Sequence, residues 1–177
     1  MSIFASQKNT ARGFTVLYAM LIAGMLLAVG MAIFEITYRE TNFAIVARDS
    51  NLALYAADTG EECALYWDYQ YSGAANFNSG SIFATSTDSN QLPTSGASCA
   101  GVDIIPTWGT PVEAPGAATT TFLVHISNPN VCAEVVVAKY GVPLRTTITS
   151  RGYNTATCPS EDNSVTNRIE RALQANY

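Results

Sequence analysis

From position 14 to position 34 the chain runs for 21 residues without a charge, a proline, an asparagine or a glutamine. Only Thr15 and Tyr18 bring polar atoms into that run. At the helical rise per residue it makes a rod of roughly 31 Å, the thickness of a bilayer's hydrocarbon core. A helix lying half in water would interrupt such a run with charges. The pattern therefore predicts one helix at 14–34 that belongs in a membrane or in an equally apolar helical bundle.

The pattern changes but does not break at Glu35. Residues 35–68 hold no proline and a single glycine, Gly60. Ile45, Leu52, Ala56, Cys63 and Trp67 recur at steps of seven or four and share one helical face. Charged Glu35, Arg39, Glu40, Arg48, Asp49, Asp58, Glu61 and Glu62 surround that face. The helix is expected to continue as an amphipathic rod to about residue 68, with a total length of some 80 Å. Its outer half would lay an apolar stripe on a globular domain.

Residues 69–118 read as a variable connection. They are rich in Ser, Thr, Asn and Gly, with turn signals at Ser72-Gly73, Asn78-Ser79-Gly80-Ser81 and Asp88-Ser89-Asn90. Ile82-Phe83-Ala84 is expected as a short strand or packing anchor, and Phe77, Phe83 and Cys99 as the ties that hold the segment down. Residues 119–177 read as a sheet. Segments 119–127, 131–140 and 144–153 are dense in Val, Ile, Thr and aromatic residues. Gly141-Val142-Pro143 turns the second into the third as a hairpin, which sets Cys132 near the level of Arg151. Segment 168–177 fits a helix through Ile169, Leu173 and Tyr177. It fits a strand face through Ile169, Arg171, Leu173, Ala175 and Tyr177.

The formal net charge of −5 argues against a general affinity for nucleic acid. Arg145, Arg151, Arg168 and Arg171 either form one local basic patch or pair off with carboxylates. The four cysteines, Cys63, Cys99, Cys132 and Cys158, contain no CxxC pair, which disfavours a zinc knuckle or a dithiol redox motif. An even count outside an anchor points to an oxidising compartment. Of three pairings, chain order favours Cys63–Cys99 and Cys132–Cys158, each closing a loop of moderate length.

The front of the chain is the most specific signal. Residues 1–13 carry Lys8 and Arg12, and positive charge before an apolar helix keeps that end cytoplasmic. Everything after residue 34 is then exported. Ala28-Val29-Gly30 has the small residues of an ordinary signal-peptide site, but the apolar stretch before it is longer than such peptides carry. Arg12-Gly13-Phe14-Thr15 instead resembles the class III leader of type IV pilins and type II secretion pseudopilins. The resemblance implies cleavage between Gly13 and Phe14 by a prepilin peptidase and N-methylation of Phe14. Position 18 is Tyr18, where major pilins carry a glutamate that meets a neighbouring subunit's amine. In this it is similar to PilX/GspK-type minor pilins.

Two further stretches resemble that family: Ala47-Arg48-Asp49 through Leu52-Ala53, Ala56-Ala57-Asp58 and Gly60-Glu61, and Ser150-Arg151-Gly152-Tyr153 with Arg168-Ile169-Glu170-Arg171-Ala172-Leu173. The resemblance implies an α+β fold, with the long N-terminal helix packed on a C-terminal antiparallel sheet, and a strand at 168–177. It implies a structural, non-enzymatic subunit of a filament. The precursor would be a single-pass protein of the cytoplasmic membrane with its globular domain outside. Its partners would be lipid, prepilin peptidase, the pilus assembly machinery and other pilin subunits met through the helix. Gly24, Ala28 and Ala32 stand four apart and suit close approach of neighbouring helices. The competing reading is a membrane-anchored binding or adhesion module that never polymerises.

Other chemistry is sparse. His125 is the only histidine, and no GxSxG, P-loop, HExxH or GxGxxG accompanies it. It is expected to face solvent or a carboxylate. No cofactor is expected. Asp88 with Asn90, and Glu161-Asp162-Asn163, are oxygen-rich loops in which a Ca²⁺ reading competes with plain solvated turns. Tyr66, Trp67, Tyr69 and Tyr71 crowd the end of the helix, either sealing it to the sheet or, with Trp108, offering an adhesive surface.

Overall fold

The computed structural model describes residues 12–70, 82–83, 97–104, 112–114 and 117–177. The architecture is α+β. Helix α1 spans Arg12–Gln70, followed by β1 (Ser98–Cys99), β2 (Val102–Asp103), β3 (Val112–Ala114), β4 (Ala117–Ser127), β5 (Asn130–Tyr140), β6 (Arg145–Tyr153) and β7 (Glu170–Asn176). Strands β1 and β2 form a two-residue hairpin, and β3 to β7 form an antiparallel sheet in sequence order. Phe77, Ala84, Asp88, Asn90, Trp108, Tyr71 and the leader residues before Arg12 lie outside the described residues. The chain divides into two compact units, one ending at Ile45 and one spanning Val46–Tyr177.

In the second unit, the last part of α1 covers one face of the sheet. Burial alternates strictly along β4, with Ala118, Thr120, Phe122, Val124 and Ile126 inward. On β5 the inward set is Val131, Ala133, Val135, Val137 and Lys139, and on β6 it is Thr146, Ile148, Ser150 and Gly152. These β-branched, period-two stretches suit a half-covered sheet. The helix answers with small residues: Ala53, Ala56, Ala57, Gly60 and Ala64 are fully or nearly fully buried, followed by Trp67. Small side chains let its backbone approach the sheet closely. A Cβ built on Gly152 would lie 2.0 Å from Ala53 O and 2.2 Å from Ala57 N. A Cβ on Gly60 would lie 2.5 Å from Ser150 Oγ. A glycine within a helix costs about 1 kcal/mol against alanine, and here the close packing explains it.

Several expectations are corrected. The predicted helical face holds at Ala56 and Trp67, which are buried in the core, and at Leu52 and Cys63, which pack against it, but the buried face is wider than predicted. Ile45 is exposed and Cys63 half-buried, while Ala53, Ala57, Gly60, Ala64 and Asp68 are buried. Ile82 and Phe83 form a bend and serve as an anchor, with the Phe83 ring stacked on Phe122 at 5.9 Å. Cys132 pairs with Tyr153, and Arg151 pairs with Glu134. The turn between β5 and β6 uses four residues, Gly141 to Leu144, one more than expected, which moves the register by one and sets Cys132 two residues from the Arg151 level. Segment 168–177 supplies the edge strand β7, paired with β6 from Tyr153↔Glu170 to Thr147↔Asn176.

Two disulfides tie the fold. Cys63–Cys99 joins α1 to β1, and Cys132–Cys158 joins β5 to the loop after β6. They close loops of 36 and 26 residues. By loop-closure entropy each contributes about 3–4 kcal/mol against the unfolded chain. Trp67 Nε1 donates to Ser98 O at 3.1 Å beside the first bridge.

Candidate functional site

The first unit contains the apolar part of α1. Every residue from 14 to 34 is exposed. Phe14 is 72%, Leu26 69% and Phe34 75% accessible. Nothing lies within 4 Å of a Cβ placed on Gly24 or Gly30. A helix satisfies its backbone groups internally, so the segment needs no sheet to fold against. What it lacks is a cover for its side chains. An uninterrupted apolar cylinder in water is strongly unfavourable, so this surface calls for lipid or apolar protein around it. The helix is long and apolar enough to cross a membrane once.

The ends of the apolar run are marked. Arg12, Gly13 and Phe14 lie in the first turn of α1, so the Gly13–Phe14 bond is helical. Tyr18 is one turn further and exposed. Gly24, Ala28 and Ala32 all lie within α1 and are exposed, so their four-residue spacing puts them on one side of the helix. At the other end Arg39 Nη2 donates to Glu35 Oε1, an exposed pair one turn apart. Thr37 and Thr41 donate back to the carbonyls of Ile33 and Thr37.

Around His125 the polar groups of the second unit bond to one another. His125 Nδ1 lies 3.1 Å from Ala156 O, and Nε2 lies 3.2 Å from Glu161 Oε1. Glu161 Oε2 accepts from the Cys158 amide at 3.0 Å. Asp162 Oδ1 accepts from the Ser164 amide, and hydrogen bonding to Ser164 holds the Asp162 carboxyl below its ordinary value. The Glu161-Asp162-Asn163 loop thus spends these carboxylate oxygens on its own turn. The four arginines do not form one patch: Arg151, Arg168 and Arg171 lie near one end of the β6–β7 pair, each with its own contact, and Arg145 lies at the other. Arg171 Nε donates to Ser50 Oγ at 2.8 Å, Arg168 lies over the Tyr153 ring and donates to Asp162 O, and Arg151 faces Glu170 at 3.8 Å. Arg145 is at the opposite end of β6 from Arg151, roughly 20 Å away at the strand rise. Of the aromatic group, Trp67 seals the helix to the sheet, while Tyr66 and Tyr69 face solvent.

One polar centre was not foreseen from sequence. Lys139 and Asp68 are both buried, with Nζ 2.7 Å from Oδ1. Thr146 Oγ1 accepts from Lys139 at 3.3 Å, and Tyr177 Oη donates to Asp68 Oδ2. Burial and the Asp68 contact push the Tyr177 phenol well above its ordinary value. The signal existed: Val135, Val137 and Lys139 share one strand face, so a lysine falls on the core side and needs an anion. Comparison with protein-family models, with curated proteins and with solved structures yields no match.

Proposed function

We propose that the chain is a minor pilin-like subunit, held in a membrane as a precursor by residues 14–34, cut between Gly13 and Phe14, and then assembled into a filament. The observation that carries this reading is the wholly exposed apolar helix that opens on Arg12-Gly13-Phe14 and runs into a disulfide-tied α+β unit. Its length and composition suit lipid before assembly and other subunits' helices afterwards. Moving between two apolar surroundings loses little hydrophobic burial, so extraction from the bilayer is not opposed by that term. Gly24, Ala28 and Ala32 offer the side of closest approach. Tyr18 places no carboxylate in the bundle, which fits a minor subunit better than a shaft-forming one. The unit from Val46 onward stays outside the membrane, in the oxidising compartment that its two disulfides suit.

The test is co-expression of the full chain with and without a prepilin peptidase, followed by intact-mass measurement of the membrane fraction. The mature form should lack residues 1–13 and carry one added methyl group. Gly13→Phe should abolish the cut. An unchanged mass in the presence of active peptidase refutes the proposal and leaves a permanent single-span anchor, the non-polymerising alternative.

A further inference from the structure

We propose that reduction of the Cys132–Cys158 bridge converts the adjoining corner of the sheet into a zinc site, with both thiolates, one His125 ring nitrogen and the Glu161 carboxylate as its four ligands. The inference does not depend on the role of α1. His125 on β4 and Cys132 on β5 are direct cross-strand partners, and both point to the face away from the helix. The loop after β6 brings Cys158 and Glu161 over them. One ligand atom from each of His125, Cys132 and Glu161 lies within 4.8 Å of the other two. Cys158 is already bonded to Cys132, with the two Cα atoms 5.6 Å apart.

The donor set and spacing suit Zn²⁺. Tetrahedral zinc takes thiolate, imidazole and carboxylate ligands at about 2.0–2.3 Å, which sets neighbouring N and O ligands roughly 3.3 Å apart. The His125 Nε2 to Glu161 Oε1 separation is 3.2 Å. The supporting contacts are also present. Zinc-bound histidines commonly donate their other ring N–H to a backbone carbonyl, and His125 Nδ1 lies 3.1 Å from Ala156 O. The remaining Glu161 oxygen is fixed by the Cys158 amide at 3.0 Å. His125 and Glu161 side chains are 32% and 37% accessible, giving an ion a way in, while both sulfurs are buried. In the oxidised chain the sulfurs are spent on each other and have no thiolate charge, so the site is closed by chemistry rather than by shape.

The step balances simply. The bridge takes two electrons and two protons from a dithiol reductant, which closes to its own disulfide. The two thiols then release those protons to solvent as Zn²⁺ binds the thiolates.

The experiment uses the full chain in detergent with Co²⁺ alone as the probe, before and after reduction by a phosphine, which becomes its oxide with oxygen from water. Reduced protein should show thiolate-to-cobalt charge transfer together with the intense visible bands of a tetrahedral ion, and Zn²⁺ should bleach both. The signal should persist in Cys63→Ser/Cys99→Ser and vanish in Cys132→Ser. His125→Ala should weaken binding by more than the roughly 10–100-fold that loss of an outer hydrogen-bond partner costs. If reduction unfolds the protein, Zn²⁺ added to the reduced chain should restore its folded circular-dichroism spectrum. A reduced chain without sulfur charge transfer overturns the proposal. So does a signal that survives Cys132→Ser, an oxidised chain that binds equally tightly, or an unfolded reduced chain that zinc does not rescue.

Discussion

Gly152→Ala gives the sharpest test of how α1 meets the sheet. The new Cβ would sit 2.0 Å from Ala53 O, 2.2 Å from Ala57 N and 2.9 Å from Ala57 Cα. Ordinary contact begins at 3.4 Å, so the worst of these is about 1.4 Å short. The obstructing atoms are helix backbone, which cannot turn aside as a side chain can. Relief requires moving α1 off the sheet as a body or bending β6. A gap of 0.5–1 Å already forfeits about a quarter to a half of each contact's dispersion energy. That loss would spread to Ala56, Ala64 and Trp67, which belong to the same core. Typical overpacking costs about 1–3 kcal/mol, and this case belongs at or above the upper end, near 3 kcal/mol. Gly60→Ala is the internal control. Its Cβ meets Ser150 Oγ at 2.5 Å and Val135 Cγ2 at 2.8 Å, which are side-chain atoms. It also gains about 1 kcal/mol of helix propensity, so its net cost should be smaller by about 1–2 kcal/mol. Urea unfolding of the oxidised full chain, followed by tryptophan fluorescence, measures both. A Gly152→Ala midpoint within error of wild type, or a Gly60→Ala variant the less stable of the two, would refute the close backbone approach.

Four other outcomes follow from single features. Lys139→Met strands the buried Asp68 carboxylate and should cost about 3–5 kcal/mol in the same unfolding assay, and a loss under 1 kcal/mol would count against the buried pair. Ser150 Oγ is buried with no hydrogen-bond partner among the described residues, so Ser150→Ala should be neutral or stabilising by about 1 kcal/mol, and a clear loss of stability would reveal a partner. Burial, then the charges of Glu170 and Glu134, pushes the Tyr153 phenol up to about 12 from 10.0. The folded state therefore holds this proton longer than the unfolded chain, so stability is intact below pH 10 and falls as pH rises toward 12. Tyr153→Phe should flatten that part of the pH profile relative to wild type, and an unchanged slope assigns the alkaline loss elsewhere. Leu26→Arg puts a charge at the middle of the apolar run, where insertion costs about 2.5–3.5 kcal/mol, so carbonate-resistant membrane association should drop sharply. Undiminished association would show that residues 14–34 are not the span.

Much of the fold was legible because its strongest signals are periodic or uninterrupted. The apolar run at 14–34 needs no tertiary information, and the alternation in β4, β5 and β6 fixed those strands to within two residues of the expected bounds. The cysteine pairing followed chain order, and the structure joins the same pairs. The failures concern which small residues face the core. Alanine and glycine carry little hydrophobic signal, so the face through Ala53, Ala57, Gly60 and Ala64 could not be told from its neighbours by hydropathy. The register error at Cys132 came from one extra turn residue, a difference that Gly141-Val142-Pro143-Leu144 does not announce. The His125–Glu161 contact joins residues far apart in sequence, and only the sheet and the Cys158 loop bring them together. Nothing in local sequence encodes that meeting beyond the general expectation of a carboxylate partner.

The junction between α1 and the sheet also has a mechanical meaning. The attachments are graded along the helix: a hydrogen bond from Arg171 to Ser50, then close-packed Ala53 to Ala64, then the Cys63–Cys99 bond, and finally the buried Lys139–Asp68 pair with the Tyr177 hydroxyl on it. A pull entering α1 from its N-terminal side loads the weakest of these first and meets a covalent stop before the last turn. Under such a load the Cys63–Cys99 bond would still hold the root of the helix after the outer contacts had given way. Within the Val46–Tyr177 unit the hold of helix on sheet therefore rests on no single noncovalent contact.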